Sequence, residues 1–349
     1  PPASSHPIRM ASVCVSLLVC CTCQESPLMM ARYRSAVCYF LVAGALFFSV
    51  LAGADPVEIF TTGESGYEAF RIPGIIAAGK DTLLAVAEGR KYQQADFGNQ
   101  HDVVAKRSID NGQSWSPLIV VGDATLLFGC NKTLVFNSTT VGLCQFWDPT
   151  PVYDNTTGEI HLLAYYTNDV NETSRLQMTG DVFLWTSRDG GAQWSDTPRN
   201  LSHFFQIPRM TPANGHGIQL HHGSNRLVIP AYGKISADYN SSSGSCVLYS
   251  DDHGLTWAVT GEFGLDTAEG DVAELMDGSV LYTLRSDDPN IQSECFPYQH
   301  CMMSARSFDH GTTFENLIYQ SALVDSGCKG GISSFVDDGT IVFVNSANA

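Results

Sequence analysis

Two arginines and two carboxylates in this chain have settings that ask for a chemical partner. Arg71 sits in Phe70-Arg71-Ile72-Pro73, between apolar neighbours at the head of a β-rich run. An unpaired charge in such a place is costly, so the guanidinium must meet an anion. That anion is either a structural salt-bridge partner or a ligand carboxylate, which the planar fork grips with two parallel hydrogen bonds. Asp96 and Asp102 lie in Ala95-Asp96-Phe97-Gly98-Asn99-Gln100-His101-Asp102, just before an apolar run. A carboxylic acid carried on a loop can protonate a departing oxygen; the alternative is a solvated surface residue. Glu269 and Arg285 are sixteen residues apart, with the turn pair Asp277-Gly278 between them. A hairpin about that turn puts them on opposite arms with their ends together.

The frame that must hold these groups is a phrase repeated four times. Ser108–Trp115, Ser187–Trp194, Ser250–Trp257 and Ser307–Phe314 all read Ser-x-Asp-x-Gly-x-x-aromatic, with starts 79, 63 and 57 residues apart. Each gap holds one four-stranded sheet, and such recurrence marks a repeat architecture. The Asp residues (Asp110, Asp189, Asp252 and Asp309) accept hydrogen bonds from loop amides, the glycine supplies a positive φ, and the aromatic tucks between neighbouring sheets. A short β-rich run precedes each copy (VVAKRS, VFLWTS, CVLYS, CMMSARS). The expectation is an all-β propeller with one such turn per blade, the four Asp being structural.

Of the 349 residues, 44% are hydrophobic and 16% charged, which suits a turn-rich β protein with a sizeable core. The formal net charge of −17 argues against nucleic acid or an anionic membrane as partner. Residues 1–28 show no coherent pattern and are expected to be a non-native leader. Residues 29–54 read as a signal peptide: Arg32 and Arg34, an apolar run from Ala36 to Ala52, then Ala52-Gly53-Ala54 before Asp55. An uncleaved anchor is the alternative. Six Asn-x-Ser/Thr sequons follow, at Asn131, Asn137, Asn155, Asn171, Asn200 and Asn240, as in a glycosylated lumenal or secreted protein. Beyond residue 54 the cysteines are Cys130, Cys144, Cys246, Cys295, Cys301 and Cys328. In an oxidising compartment, Cys130–Cys144 and Cys295–Cys301 are the local pairs to test first. Zinc is the other use of such residues, but no Cys-x₂-Cys…His spacing occurs in this part. No metal site is expected, and His221-His222 reads as a loop pair.

Phe70-Arg71-Ile72-Pro73 followed by the four Asp boxes resembles the exo-α-sialidases (neuraminidases). With Leu83-Leu84-Ala85-Val86-Ala87-Glu88-Gly89-Arg90-Lys91 just downstream, the lysosomal-type animal enzymes look nearest. The resemblance covers roughly residues 57–349 and implies a six-bladed β-propeller with a central sugar pocket. It implies retaining hydrolysis of terminal α-linked sialic acids on glycoproteins, glycolipids and oligosaccharides, with no cofactor. Arg71 and Arg285 would hold the sugar carboxylate, and Arg90 would line the pocket nearby. Asp96 matches the family's acid/base position better than Asp102, which stays as the fallback. Glu269 would activate a neutral tyrosine nucleophile, because a carboxylate would be repelled by the sugar's own carboxylate; this is the family's departure from the two-carboxylate scheme. His216 and Gln219 resemble a segment near the sugar, Asp148 reads as either a pocket residue or a turn cap, and Glu274 as structural. The third arginine and the tyrosine match no position up to Ala349, so the expectation is a propeller, residues 55–349, incomplete at its C-terminal end. The resemblance places the protein in the secretory pathway, in the lysosomal lumen first, with secretion or the cell surface as alternatives; glycolipid substrates would bring it to membranes. Three rivals remain: a non-catalytic Asp-box propeller, a sialic-acid-binding lectin, and a trans-sialidase.

Overall fold

The computed structural model describes residues 11–12, 57–130, 133–136, 139–168, 180–205, 209–234, 244–260, 263–286, 295, 300–325, 327–335 and 339–345. Four antiparallel units follow one another along the chain. The first comprises Ala69–Ala77, Leu83–Arg90, His101–Ser108 and Ile119–Gly122. The second is Gln145–Asp154, Glu159–Thr167, Asp181–Ser187 and Arg199–Asn200. The third opens with Arg209–Pro212 and Ile218–Gln219, which both pair with Leu227–Lys234, and continues through Gly244–Ser250 to Ala258–Val259. Thr267–Glu274, Val280–Ser286, Cys301–Ser307 and Glu315–Val324 form the fourth. A hairpin, Gly331–Phe335 with Thr340–Val344, comes next, and Ala11–Ser12 pairs in parallel with its second strand. This is the architecture of a β-propeller; the described residues hold four such units, the small hairpin Thr133–Phe136 with Thr139–Gly142, and the hairpin after the fourth unit, so they do not reach the expected count of six.

The core runs between units rather than within them. Leu84, Val86, Val103 and Ala105 of the first unit pack on Phe146, Ile160, Leu162 and Trp185 of the second. Leu163, Tyr165 and Leu184 then meet Ile229, Leu248 and Trp257. Val228 and Val247 meet Val272, Tyr282 and Met303, and Ala273, Leu275 and Met302 meet Ile332, Ile341 and Phe343 of the hairpin. The second, third and fourth sheets each bury both faces against neighbours, so their central strands lose simple alternation and read as near-continuous apolar runs. Each fully buried Leu or Ile contributes about 1.5–3 kcal/mol. Gly122 permits one close contact between the first two units: a Cβ there would lie 2.6 Å from the buried Trp185 ring.

All four Asp boxes connect the third strand of a unit to its fourth. The glycines take the expected positive φ (83° at Gly112, 90° at Gly191, 81° at Gly254, 78° at Gly311). Trp257 is buried between sheets, and Trp194 and Phe314 lean on the same cores. Disulfides Cys130–Cys144 and Cys295–Cys301 form as the local spacing suggested.

The first strands of the units behave differently. The ladder slips between Arg71 and Gly74, between Trp147 and Thr150, and between Thr267 and Gly270. In the third unit the first strand is interrupted altogether between Pro212 and Ile218. Left-handed backbone marks three of these sites: Ile72 (φ 56°), Asp148 (φ 53°) and Asn214 (φ 54°). Bulges turn side chains out of the pleat and recur beside active sites. For a β-branched residue such as Ile72 a positive φ is a true outlier, held only because the surroundings impose it.

Candidate active site

Each bulge presents a polar side chain, and these side chains meet. Arg71 Nη1 donates to Asp96 Oδ1 at 2.7 Å, and Arg90 Nη1 donates to the same oxygen at 2.7 Å. Arg90 is fully buried and turns its Nε and Nη2 to Glu88 Oε2, at 3.0 and 2.6 Å. The other oxygen of Glu88 accepts the backbone N–H of Asp148 at 3.1 Å, across to the second unit. Asp148 in turn accepts from Tyr232 Oη (2.9 Å) and Asn214 Nδ2 (3.4 Å). The same Asn214 amide lies 3.3 Å from Glu269 Oε1, and Glu269 Oε2 accepts from Arg285 Nη1 at 2.6 Å. A continuous polar chain therefore runs from Arg71 through all four units to Arg285.

The elements explain these placements. Glu88 sits opposite Arg71 in the ladder of the first two strands, so Arg90, two residues on, projects to the same face. Asp96 comes in on the loop between the second and third strands. Its loop is tied down by Asn99 Nδ2 to the Gln93 carbonyl (2.6 Å), and by Gln145 Nε2 to the Asp96 carbonyl (2.8 Å). The loop's Phe97 packs on Trp147 with ring centroids 5.5 Å apart. Glu269 and Arg285 lie on the two arms of the hairpin closed by Asp277-Gly278, as their spacing required.

Electrostatics differ along the chain of groups. Arg90 pays for burial, but Glu88 and Asp96 more than offset this and hold its charge firmly. Asp148 is in the opposite state. Burial, then repulsion from Glu269 and Glu88, pushes its carboxyl well above the usual range, against the hydrogen bonds from Tyr232 and Asn214. His101, buried beside Glu88, is driven well below its usual value by burial and by Arg90, and so is neutral. Arg71 Nε is buried with no hydrogen-bond partner, so the guanidinium keeps donor capacity that Asp96 does not use.

Sequence reasoning brought together Arg71, Arg90, Asp96, Glu269 and Arg285, and the structure assembles all five. It separates Asp102 from them: that carboxylate is fully buried, accepting from Tyr67 Oη at 2.8 Å and the Ala124 N–H at 2.9 Å, with Lys91 Nζ at 2.8 Å. Gln219 serves the Asp154 turn, donating to Asp154 Oδ1 at 2.8 Å, and His216 pairs with Asp271 at 3.2 Å. Glu274 accepts the backbone N–H groups of His221 and His222, a structural role for all three. Asp148 belongs in the site, and the turn-cap alternative falls. The missed members are Glu88, Asn214 and Tyr232. One signal was available for Asp148: like Phe70-Arg71-Ile72-Pro73, Trp147-Asp148-Pro149 sets a charge between an aromatic and a nearby proline, which cannot donate to a ladder. Among the described residues no group of three His, Cys, Asp or Glu could hold a metal ion, and no helix is long and apolar enough to cross a membrane.

The BNR repeat-like domain model matches residues 81–349, most of the chain. The chain belongs to this family. The BNR repeats are the four Asp boxes, and the relatives are sialidases. Sialidase-3 of Bos taurus is 30% identical over 76% of this chain and 61% of its own length. A sialidase of Bacteroides fragilis is 26% identical over 66% of this chain and 42% of its own length. The chain thus spans less than two thirds of either relative. Among solved structures, the Hadza microbial sialidase Hz136 superposes with a TM-score of 0.65 at 22% identity, covering 78% of this chain and 51% of that one. The intramolecular trans-sialidase of Ruminococcus gnavus gives 0.63 at 17%, covering 80% and 76%. These two likenesses establish the shared propeller fold.

Proposed function

We propose that this BNR-repeat protein is an exo-α-sialidase that cleaves terminal α-linked sialic acids from glycoproteins, glycolipids and oligosaccharides with retention of configuration. The observation that carries this reading is the paired set on one face of the bulged strands: Arg71 with Asp96, and Arg285 with Glu269. Two guanidiniums, each meeting a carboxylate of the protein, suit a ligand whose own carboxylate takes the place of the protein's. A sugar carboxylate entering the Arg71 fork displaces Asp96 Oδ1. Asp96, 44% exposed and on a loop, is then free to face the leaving oxygen, protonate it, and later activate water. Glu269 acts as the base that raises the nucleophile's reactivity, and Arg285 holds it in place until the substrate arrives. Arg90 keeps the Asp96 loop in register. With its carboxyl pushed well above the usual range, Asp148 would favour a hydrogen-bond donor over a second negative charge beside an anionic sugar.

The proposal extends to place. Asn155 and Asn200, two of the sequon asparagines, are exposed, which suits glycosylation in the secretory pathway and a lysosomal or secreted destination. The test is to give the full-length protein an α-linked sialoside and follow the products by proton NMR. Release of the α-anomer first, before mutarotation, supports the reading. No release, or the β-anomer first, sinks it.

A further inference from the structure

Lys329 belongs to none of the groups discussed so far, yet it touches the element that joins the two halves of the site. It lies just before the hairpin strand Gly331–Phe335, and its side chain is 10% exposed. Its Nζ donates to the Asn214 carbonyl at 2.9 Å and stands 3.3 Å from Asp271 Oδ2. Asp271 is two residues beyond Glu269 in the same first strand and is fully buried. Burial opposes the Asp271 charge, but His216 and Lys329 outweigh it, so this carboxylate is a firm anion. It also accepts the Ile332 N–H at 3.3 Å, tying in the hairpin.

The carbonyl that Lys329 grips belongs to a tight turn. Asn214 and Gly215 are both left-handed, with φ of 54° and 74°. A Cβ on Gly215 would overlap Lys329 Nζ, so the ammonium rests directly on the turn. On the turn's other side, a Cβ on Gly74 would overlap the Gly215 carbonyl, which places this turn backbone to backbone on the strand that bears Arg71. The Asn214 side chain then reaches Asp148 and Glu269 at 3.4 and 3.3 Å. The direction of that amide depends on the turn, and the turn is pinned between Gly74 and Lys329.

We propose that Lys329 is a positioning residue: anchored on Asp271, it fixes the Asn214-Gly215 turn and thereby sets the Asn214 amide between Asp148 and Glu269. This rests on the sialidase reading above. A single buried ammonium would thus hold the distance between the Arg71 and Glu269 halves of the site without touching the substrate.

The experiment compares parent, Lys329→Met, Asn214→Ala and the double variant in the full-length protein, with kinetics normalised to folded protein. Lys329→Met should lower kcat by about 10²-fold, the cost of a displacement on the order of 1 Å at a catalytic group, while KM stays within about 3-fold. Asn214→Ala should give a similar loss, and the double variant little more, because both remove one constraint. Lys329→Arg, which can still donate to the carbonyl, should recover part of kcat; should Lys329→Met not fold, Lys329→Gln takes its place. Parent-like kcat in Lys329→Met, or losses that multiply in the double variant, would overturn the proposal. If the parent itself releases no sialic acid, the hydrolase reading fails, and affinity for the 2,3-unsaturated sialic acid glycal decides instead. A loss of about 10-fold in Lys329→Met then supports positioning. Equal affinity, or no binding by the parent, overturns it.

Discussion

Asp252 and Asp148 are both aspartates beside left-handed backbone, and they meet opposite surroundings. Asp252, in the third Asp box, has every partner within four residues: Ser250 Oγ donates at 2.9 Å, Thr256 N–H at 2.8 Å and Thr256 Oγ1 at 2.6 Å. Partial burial works against its charge, but these donors outweigh it and hold its carboxyl below the usual range. Asp110, in the first box, is held at about 2, chiefly by the Ser114 hydroxyl and N–H. Asp148, at the second bulge, takes its partners from Tyr232, Asn214 and the neighbourhood of Glu88 and Glu269, all from distant parts of the chain. Burial and those carboxylates drive it up rather than down. The rim uses aspartate as a charged staple closed by local contacts. The centre uses it as a carboxyl whose charge is disfavoured, in a crowd assembled from the whole fold.

If that contrast is right, central substitutions cut activity more than stability, and rim substitutions do the reverse. The largest effect falls on Asp96→Ala and Arg71→Ala. Loss of a positioned acid/base costs about 10²–10⁴-fold in kcat/KM, and loss of the arginine should reach at least the lower end of that range. Both variants should melt near the parent, since Asp96 is partly exposed and neither lies in the inter-sheet cores. Near-parent turnover in either would remove that residue from the mechanism.

Next comes Glu269→Gln, expected to lower kcat by about 10²-fold or more while still accepting from Arg285. An unchanged kcat would show that its charge is not used.

Asp148→Asn probes the central electrostatics directly. Asp148 binds its proton more tightly folded than unfolded, so its contribution to stability falls as pH rises from the ordinary carboxylate pKa toward the raised folded value. The variant should therefore gain stability relative to the parent between about pH 4 and pH 7. Urea titrations at several pH values would read this, and a difference independent of pH would refute the protonated state.

The smallest effect is at the rim. Ser250→Ala leaves the buried Gly254 N–H without its 2.8 Å acceptor and should cost about 1–2 kcal/mol with kcat/KM unchanged. The box carboxylates have the opposite pH sign from Asp148. Asp110 contributes stability fully present above about pH 4 and lost as pH falls toward its folded value of about 2. A fall in activity on Ser250→Ala, beyond the unfolded fraction, would erase the distinction between rim and centre.

How much was legible in the sequence follows from the range of the contacts. The Asp boxes could be read residue by residue, because Ser, Asp and Gly bond one another within a single turn. The hairpin pairing of Glu269 with Arg285 was equally local, fixed by Asp277-Gly278. Arg71 and Asp96 were legible as charges needing partners; that they would partner each other, with Arg90 against the same oxygen, was not. Asn214, Tyr232 and Lys329 stayed hidden, and Asp148 was legible only as one of two alternatives, for one reason. Their chemistry comes from distant parts of the chain, such as Glu88 for the Asp148 N–H and Asn214 for Lys329.

The sequence by itself determined the all-β class, the repeated unit and the turn that closes each sheet, since short-range hydrogen bonds and short β-rich runs need no knowledge of the rest of the chain. Only the tertiary structure decided which first-strand bulges converge, and with that the raised carboxyl of Asp148, the burial of Asp102 and the grip of Lys329. Bulges on separate strands meet when sheets stack on one another's apolar faces. That stacking is set by burial across the whole molecule, which no local stretch of sequence contains.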